Sequence, residues 1–256
     1  MIRRAVAAGS FYPAEPATLA RTVDGLLARA PTGTAPTPKA LVVPHAGYLY
    51  SGPVAATAYA LVRGEVRSVA LVGPAHFVPL HGFAVSAADV WETPLGGVAI
   101  DPDLRDVTTH GGARVDDGPH RPEHALEVQL PFLQRILDPG FAVVPVAVGV
   151  GTPAETADLL ERLWGATELI VVSTDLSHYL DRAAAERVDR RTADAVVARD
   201  PDAIDAGAAC GIYALRGLAE LARRRELQVR GLDLRTSADT AGDPERVVGY
   251  GAFALA

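Results

Sequence analysis

The chain has 256 residues, 49% apolar and 21% charged, which suits a soluble globular protein able to bury a core without disulfides or a structural metal. A formal net charge of −7 disfavours a general nucleic-acid binder, and Cys210, the only cysteine, excludes an internal disulfide and fits a reducing compartment. No apolar run approaches membrane-spanning length, and Phe11, Tyr12 and Pro13 arrive before a signal-peptide core can form, so a cytoplasmic protein engaging neither membrane nor nucleic acid is expected.

Leu19, Val23, Leu26 and Leu27 recur at helical spacing and predict a helix over 14–30, followed by a Pro/Thr-rich surface loop at 31–38. ALVVP (40–44) reads as a short buried strand that opens into His45-Ala46-Gly47-Tyr48. Ser51-Gly52-Pro53 begins a helix through about Arg63, with proline at a tolerated first-turn position. VALVGPA (69–75) is a second buried strand, ending at His76. Phe83–Val85, Val90–Thr93 and Val98–Ile100 are shorter strands, the last two forming a hairpin across Pro94-Leu95-Gly96-Gly97. Residues 123–137 read as a helix with Leu126, Leu130 and Leu133 on one side, Phe141–Val148 as a strand and 153–164 as a helix. ELIVVST (168–174) leads into Asp175-Leu176-Ser177-His178, a long helix covers 182–198, and Asp200-Pro201 starts a short one. Cys210-Gly211 precedes a helix at 212–225, and strands at 227–233 and 247–255 close the chain. Strands alternating with helices, without a repeat or separating linker, predict one α/β domain over 1–256 with a largely parallel or mixed central sheet flanked by helices.

In such sheets ligands sit at the carboxyl edge of the strands. His45 and His76 each follow a buried strand beside glycine or alanine, and neutral imidazole is the commonest protein metal ligand. The plainer reading, in which each ring bonds its own loop, is less attractive for two histidines at equivalent strand ends. Asp175 and His178 supply ligands or a carboxylate-oriented imidazole, unless Asp175 is only a cap and His178 a surface residue. Cys210 lies at a break between helices, where the positive end of helix 212–225 favours the thiolate, although a lone cysteine commonly packs as a small hydrophobe. Glu123, His124 and Glu127 share a helix opening; His124 can face the cleft, while the acids suit the helix dipole. Gly149-Val150-Gly151-Thr152-Pro153-Ala154 matches a loose dinucleotide fingerprint, but a capping box of Thr152 and Glu155 around Pro153 explains the same letters.

Taken in order, Ala8-Gly9-Ser10-Phe11-Tyr12-Pro13, Pro44-His45-Ala46-Gly47-Tyr48 with Ser51-Gly52, and Gly73-Pro74-Ala75-His76 resemble the Memo family. Glu123-His124-Ala125-Leu126-Glu127, Ser173-Thr174-Asp175-Leu176-Ser177-His178, Cys210-Gly211 and Val248-Gly249-Tyr250 extend the resemblance over nearly the whole chain. Bacterial and archaeal members are known as protein B of the AmmeMemoRadiSam system, which implies a radical-SAM protein and a third component as partners. The resemblance also implies a fold similar to class III extradiol dioxygenases. It implies a pocket where His45, His76 and Cys210 bind a metal, iron or copper, with Asp175 and His178 beside it; His124 lining the cleft is the reading of its own helix opening.

A cysteine in place of the carboxylate of extradiol enzymes makes the site softer, so dioxygenase activity does not follow from the fold. Zinc also suits two histidines and a thiolate. The expectation is therefore a Memo-like metal-binding protein with redox or oxygen-linked chemistry on an unknown small molecule or peptide. Its rivals are an iron ring-cleaving dioxygenase, with Asp175 or a glutamate as the carboxylate, and a non-catalytic module that captures a peptide or anionic side chain.

Overall fold

A computed structural model describes residues 1–31, 37–62 and 64–256, so most of the expected 31–38 loop and Arg63, the expected end of the second helix, lie outside the described residues. The strands are β1 (Ile2–Arg3), β2 (Ala40–Val43), β3 (Ser68–Pro74), β4 (Phe83–Val85), β5 (Val90–Thr93), β6 (Gly96–Ile100), β7 (Arg114–Val115), β8 (Ala142–Val148), β9 (Leu169–Ser173), β10 (His178–Leu180), β11 (Val229–Thr236) and β12 (Val247–Leu255). The helices are α1 (Pro16–Arg29), α2 (Tyr48–Tyr59), α3 (Pro102–His110), α4 (Leu130–Ile136), α5 (Pro153–Ala166), α6 (Arg182–Ala198) and α7 (Ile212–Arg224).

The strands form one mixed sheet in the order β1-β5-β6-β8-β3-β9-β2-β12-β10, with β11 paired to β12 and β4 to β8. Its centre is parallel: β8, β3, β9 and β2 run alongside one another, while β12 adds antiparallel to β2. Alternate side chains of these strands feed two cores. Leu41, Val43, Val69, Leu71 and Val171 join one, packed with residues of α1, α2 and α4; Val42, Ala70, Val72, Ile170 and Val172 join the other, with residues of α5, α6 and α7. Burial on both faces is why the strands read as unbroken apolar runs. The α/β class and the mixed sheet flanked by helices thus match the expectation. None of the described helices is long and apolar enough to cross a membrane.

Several local expectations are corrected. Helix α2 begins at Tyr48, not Ser51, and encloses Pro53. Its first amide, from Tyr48, donates to the carbonyl of Phe11 (2.8 Å), a partner 37 residues upstream that no local rule supplies. The expected helix over 123–137 is only a 3-10 turn at Glu127–Gln129 followed by α4. Glu123 folds back to accept from the amides of His124 and Ala125, and both acids are fully buried rather than displayed at a helix start. Asp200-Pro201 starts no helix; the Asp200 carboxylate accepts from the amides of Asp202 and Ala203, closing a turn. The Thr152–Glu155 capping box is present, which accounts for the loose dinucleotide match.

Candidate metal centre

Strands β3, β9 and β2 are neighbours in the sheet, so their carboxyl ends bring His76, Asp175 and His45 to one edge. Together with His124, His178 and Cys210 these residues line one cavity of about 490 Å³, which Phe11 and Tyr179 also border. All six candidates from the sequence therefore converge. A larger groove of about 1200 Å³ between α6 and β11 is bordered by Arg182, Arg187, Arg190, Arg191 and Arg235, away from these six.

The hydrogen-bond network sets the tautomers of two imidazoles. Ser173 Oγ donates its one proton to the Ala125 carbonyl (2.7 Å) and itself accepts from Gln129 Nε2 (2.9 Å). Ser173 Oγ can then only accept from His45 Nδ1, 2.9 Å away, so Nδ1 carries the hydrogen and Nε2 is left as a bare acceptor. At His76 the carboxylate of Glu123 plays the same part: Oε1 accepts from Nδ1 (2.9 Å), Oε2 accepts from the His76 amide (2.6 Å), and Nε2 is left bare.

Electrostatics keep these rings ready to ligate. Burial pushes the His45 imidazolium down to about 3, reinforced by neighbouring His76, and burial with His45 pushes His124 down to about 4. Both are neutral at pH 7 and offer lone pairs without proton competition. Burial alone would raise the Glu123 carboxyl, but the ring and amide of His76 and the Ala125 amide hold it at about 2.

One ring nitrogen each from His45, His76 and His124 lies within 4.8 Å of the others, forming a group able to hold a metal ion. Cys210 meets this group at His45, its Sγ 3.2 Å from Nε2. Its place is fixed from β9: the Asp175 amide donates to Sγ (3.3 Å) and the Cys210 amide donates back to the Asp175 carbonyl (3.2 Å). A Cβ on Gly211 would lie 2.8 Å from Thr174, so only glycine lets the start of α7 approach β9 this closely. The expected thiolate is corrected: burial, then the Asp175 carboxyl, pushes the Cys210 thiol up to about 12, outweighing the helix start. Without metal, Sγ–H faces a bare imidazole nitrogen.

Asp175 is buried, and its Oδ1 accepts from the His45 amide (2.7 Å), tying the ends of β9 and β2 together. His178 stands at the partly exposed mouth on β10, with Nδ1 2.8 Å from the Leu176 carbonyl; donation there leaves Nε2 open. Ser173, Gln129 and Phe11 escaped assignment from sequence, and Glu123 and Glu127 were read as helix-opening charges. The usable signal is one glutamate just before and one within the largely apolar stretch Ala125–Leu133, but their partners lie 47 and more than 110 residues away.

A family model described as Memo-like protein matches residues 3–254. The chain belongs to the Memo family. MEMO1 family proteins of Methanothermobacter thermautotrophicus and Aquifex aeolicus are each 34% identical to it. The first alignment covers 98% of this chain and 99% of the relative, the second 97% of each. A MEMO1 family protein of Thermotoga neapolitana is likewise 34% identical, over 98% of both chains. The Memo match thus spans every strand end that contributes to the cavity. With Nδ1 of His45 and of His76 each hydrogen-bonded, Nε2 is the nitrogen each ring has left for a ligand, an arrangement common among metal-binding histidines.

Proposed function

We propose that this Memo-family chain is a metal-dependent protein in which His45, His76 and Cys210 hold an iron or copper ion, with redox or oxygen-linked chemistry on a small molecule or peptide admitted to the cavity. The observation that carries this reading is the bare Nε2 of His45, 3.2 Å from the Cys210 sulfur, on a ring that belongs to a group of three imidazoles able to hold an ion. A thiol and two imidazoles suit copper and iron, with zinc the redox-silent competitor. When bound, the ion supplies a Lewis acid and an electron relay.

The chain's own groups do the rest. Asp175 holds the His45 backbone, and Glu123 and Ser173 hold the two ring orientations. His124 adds a neutral imidazole whose ring nitrogen lies within 4.8 Å of those of His45 and His76, and His178 presents Nε2 at the mouth to take or return a proton. A carboxylate ligand set, as the ring-cleaving rival needs, is less supported: both oxygens of Glu123 already accept from backbone or imidazole, and Asp175 accepts from the His45 amide.

Metal content of protein purified without added metal tests the reading. Wild type should carry iron or copper, and His45→Ala, His76→Ala and Cys210→Ser should each lose it, with folding checked by circular dichroism. Equal loading in all four overturns the ligand assignment. Association with a radical-SAM protein and a third AmmeMemoRadiSam component rests on the family resemblance alone, and co-purification of the three tests it.

A further inference from the structure

Two of the three clustered imidazoles are fixed by hydrogen bonds at Nδ1, but the third is not. The Nδ1 of His124 is buried without a hydrogen bond, although Glu123 Oε1 lies 3.3 Å away. Its ring instead stacks on Phe11, with centroids 4.1 Å apart and planes 27° apart, and on His76 at 5.0 Å and 18°. Beside that carboxylate, contact with aromatic faces holds the plane of the His124 ring, where hydrogen bonds to Ser173 and Glu123 hold His45 and His76.

Phe11 belongs to an N-terminal segment whose course is set elsewhere. The segment turns at Gly9 (φ +84°), where the Gly9 amide donates to the Tyr12 carbonyl (2.7 Å) and the Phe11 amide donates to Ala7 (2.9 Å). Both ends of this turn are gathered by the buried carboxylate of Glu127. It accepts from the amides of Val6 (2.9 Å) and Ala7 (2.8 Å), from Tyr12 Oη (2.6 Å) and from Arg3 Nη1 (2.7 Å). Arg3 is itself held over the Trp91 ring at 4.0 Å. Glu127 is absent from the cavity wall, and the proposed chemistry does not use it.

We infer that residues 3–13 form a strap, pinned by Glu127, whose Phe11 ring sets the orientation of His124 toward His45 and His76. Phe11 and Glu127 are positioning residues that act through His124. The inference builds on the proposed site but concerns the metal-free protein, so it is tested without metal.

Chelator-treated protein with isotope-labelled histidine and phenylalanine, studied by NMR, reads the ring orientations directly. In wild type, nuclear Overhauser contacts should link His124 to both Phe11 and His76. Phe11→Leu, which keeps an apolar side chain but removes the stacking face, should abolish the His124–His76 contact and leave the His45–His76 contact intact. Phe11→Tyr should restore it. Glu127→Gln should reproduce the Phe11→Leu pattern; if that variant does not fold, Phe11→Leu and Phe11→Tyr decide alone. A purely structural role would disturb all three rings together or none. Persistence of the His124–His76 contact in Phe11→Leu overturns the inference. Failure of wild type to take up iron or copper would instead sink the proposed function and leave this test standing.

Discussion

Acidifying the metal-free protein should unfold it through three histidines that the fold keeps neutral. His45 is held down at about 3 by burial and its neighbour His76, and His124 at about 4 by burial and His45. His120, fully buried beneath Trp91, is held at about 4 by burial, partly offset by its bond to the Ala84 carbonyl. In the unfolded chain each titrates near 6.5, so below that pH the unfolded state binds protons that the native state refuses. Stability therefore falls as pH drops from about 6.5 toward about 4. At pH 5, roughly 1.5 units below the unfolded value, each ring costs about 2 kcal/mol, about 6 kcal/mol for the three. Asp175 and Asp189, whose carboxyls burial raises above the usual aspartate range, act in the opposite sense as pH falls through their raised values. A loss of this size rivals the whole stability of an ordinary domain, about 5–15 kcal/mol. Urea unfolding followed by circular dichroism from pH 8 to pH 5 measures it, and His120→Gln should remove about one third of the pH dependence. A free energy that is flat or rises over that interval would refute the reasoning.

Glu123→Gln places an amide hydrogen among donors that all point at a buried carboxylate, so it should lower stability by about 2–3 kcal/mol and weaken metal binding roughly 10–100-fold; urea unfolding and competition with a chromogenic chelator give the two values. Because the Cys210 thiol sits near 12 without metal, ligation by sulfur must expel its proton, and apparent affinity should rise roughly tenfold per unit between pH 6 and 8. Cys210→Ala should flatten that slope, and an unchanged slope counts against sulfur ligation. Gly249→Ala would put a Cβ 1.8 Å from Asp189 Oδ2, whose partner oxygen holds the Ser177 amide, so it should cost about 1–3 kcal/mol. Adding Asp189→Ala should cost less than the sum of the two single changes by urea unfolding, since the overlap is then gone.

The parts of this chain legible in one dimension were those governed by local pattern. Apolar runs ending at His45, His76 and Asp175 announced parallel strands buried on both faces, and α6, the Val90–Ile100 hairpin and the Thr152 cap followed from spacing and turn chemistry. Local pattern misled where a distant group supplied the missing bond: the Phe11 carbonyl starts α2 early, and the carboxylates of Glu123 and Glu127 bend a helical-looking segment toward His76 and the N-terminal strap. For the site, residue types and the loops that carry them were readable, because imidazoles after buried strands stand out. Which nitrogen each ring offers was decided only when β9 set Ser173 beside His45 and Glu123 reached His76. Whether Cys210 is charged was decided only when α7 buried it against Asp175. A sequence specifies which groups exist and how often they recur; hydrogen-bond partners and desolvation are properties of neighbours in space, and these fix tautomer, charge and orientation.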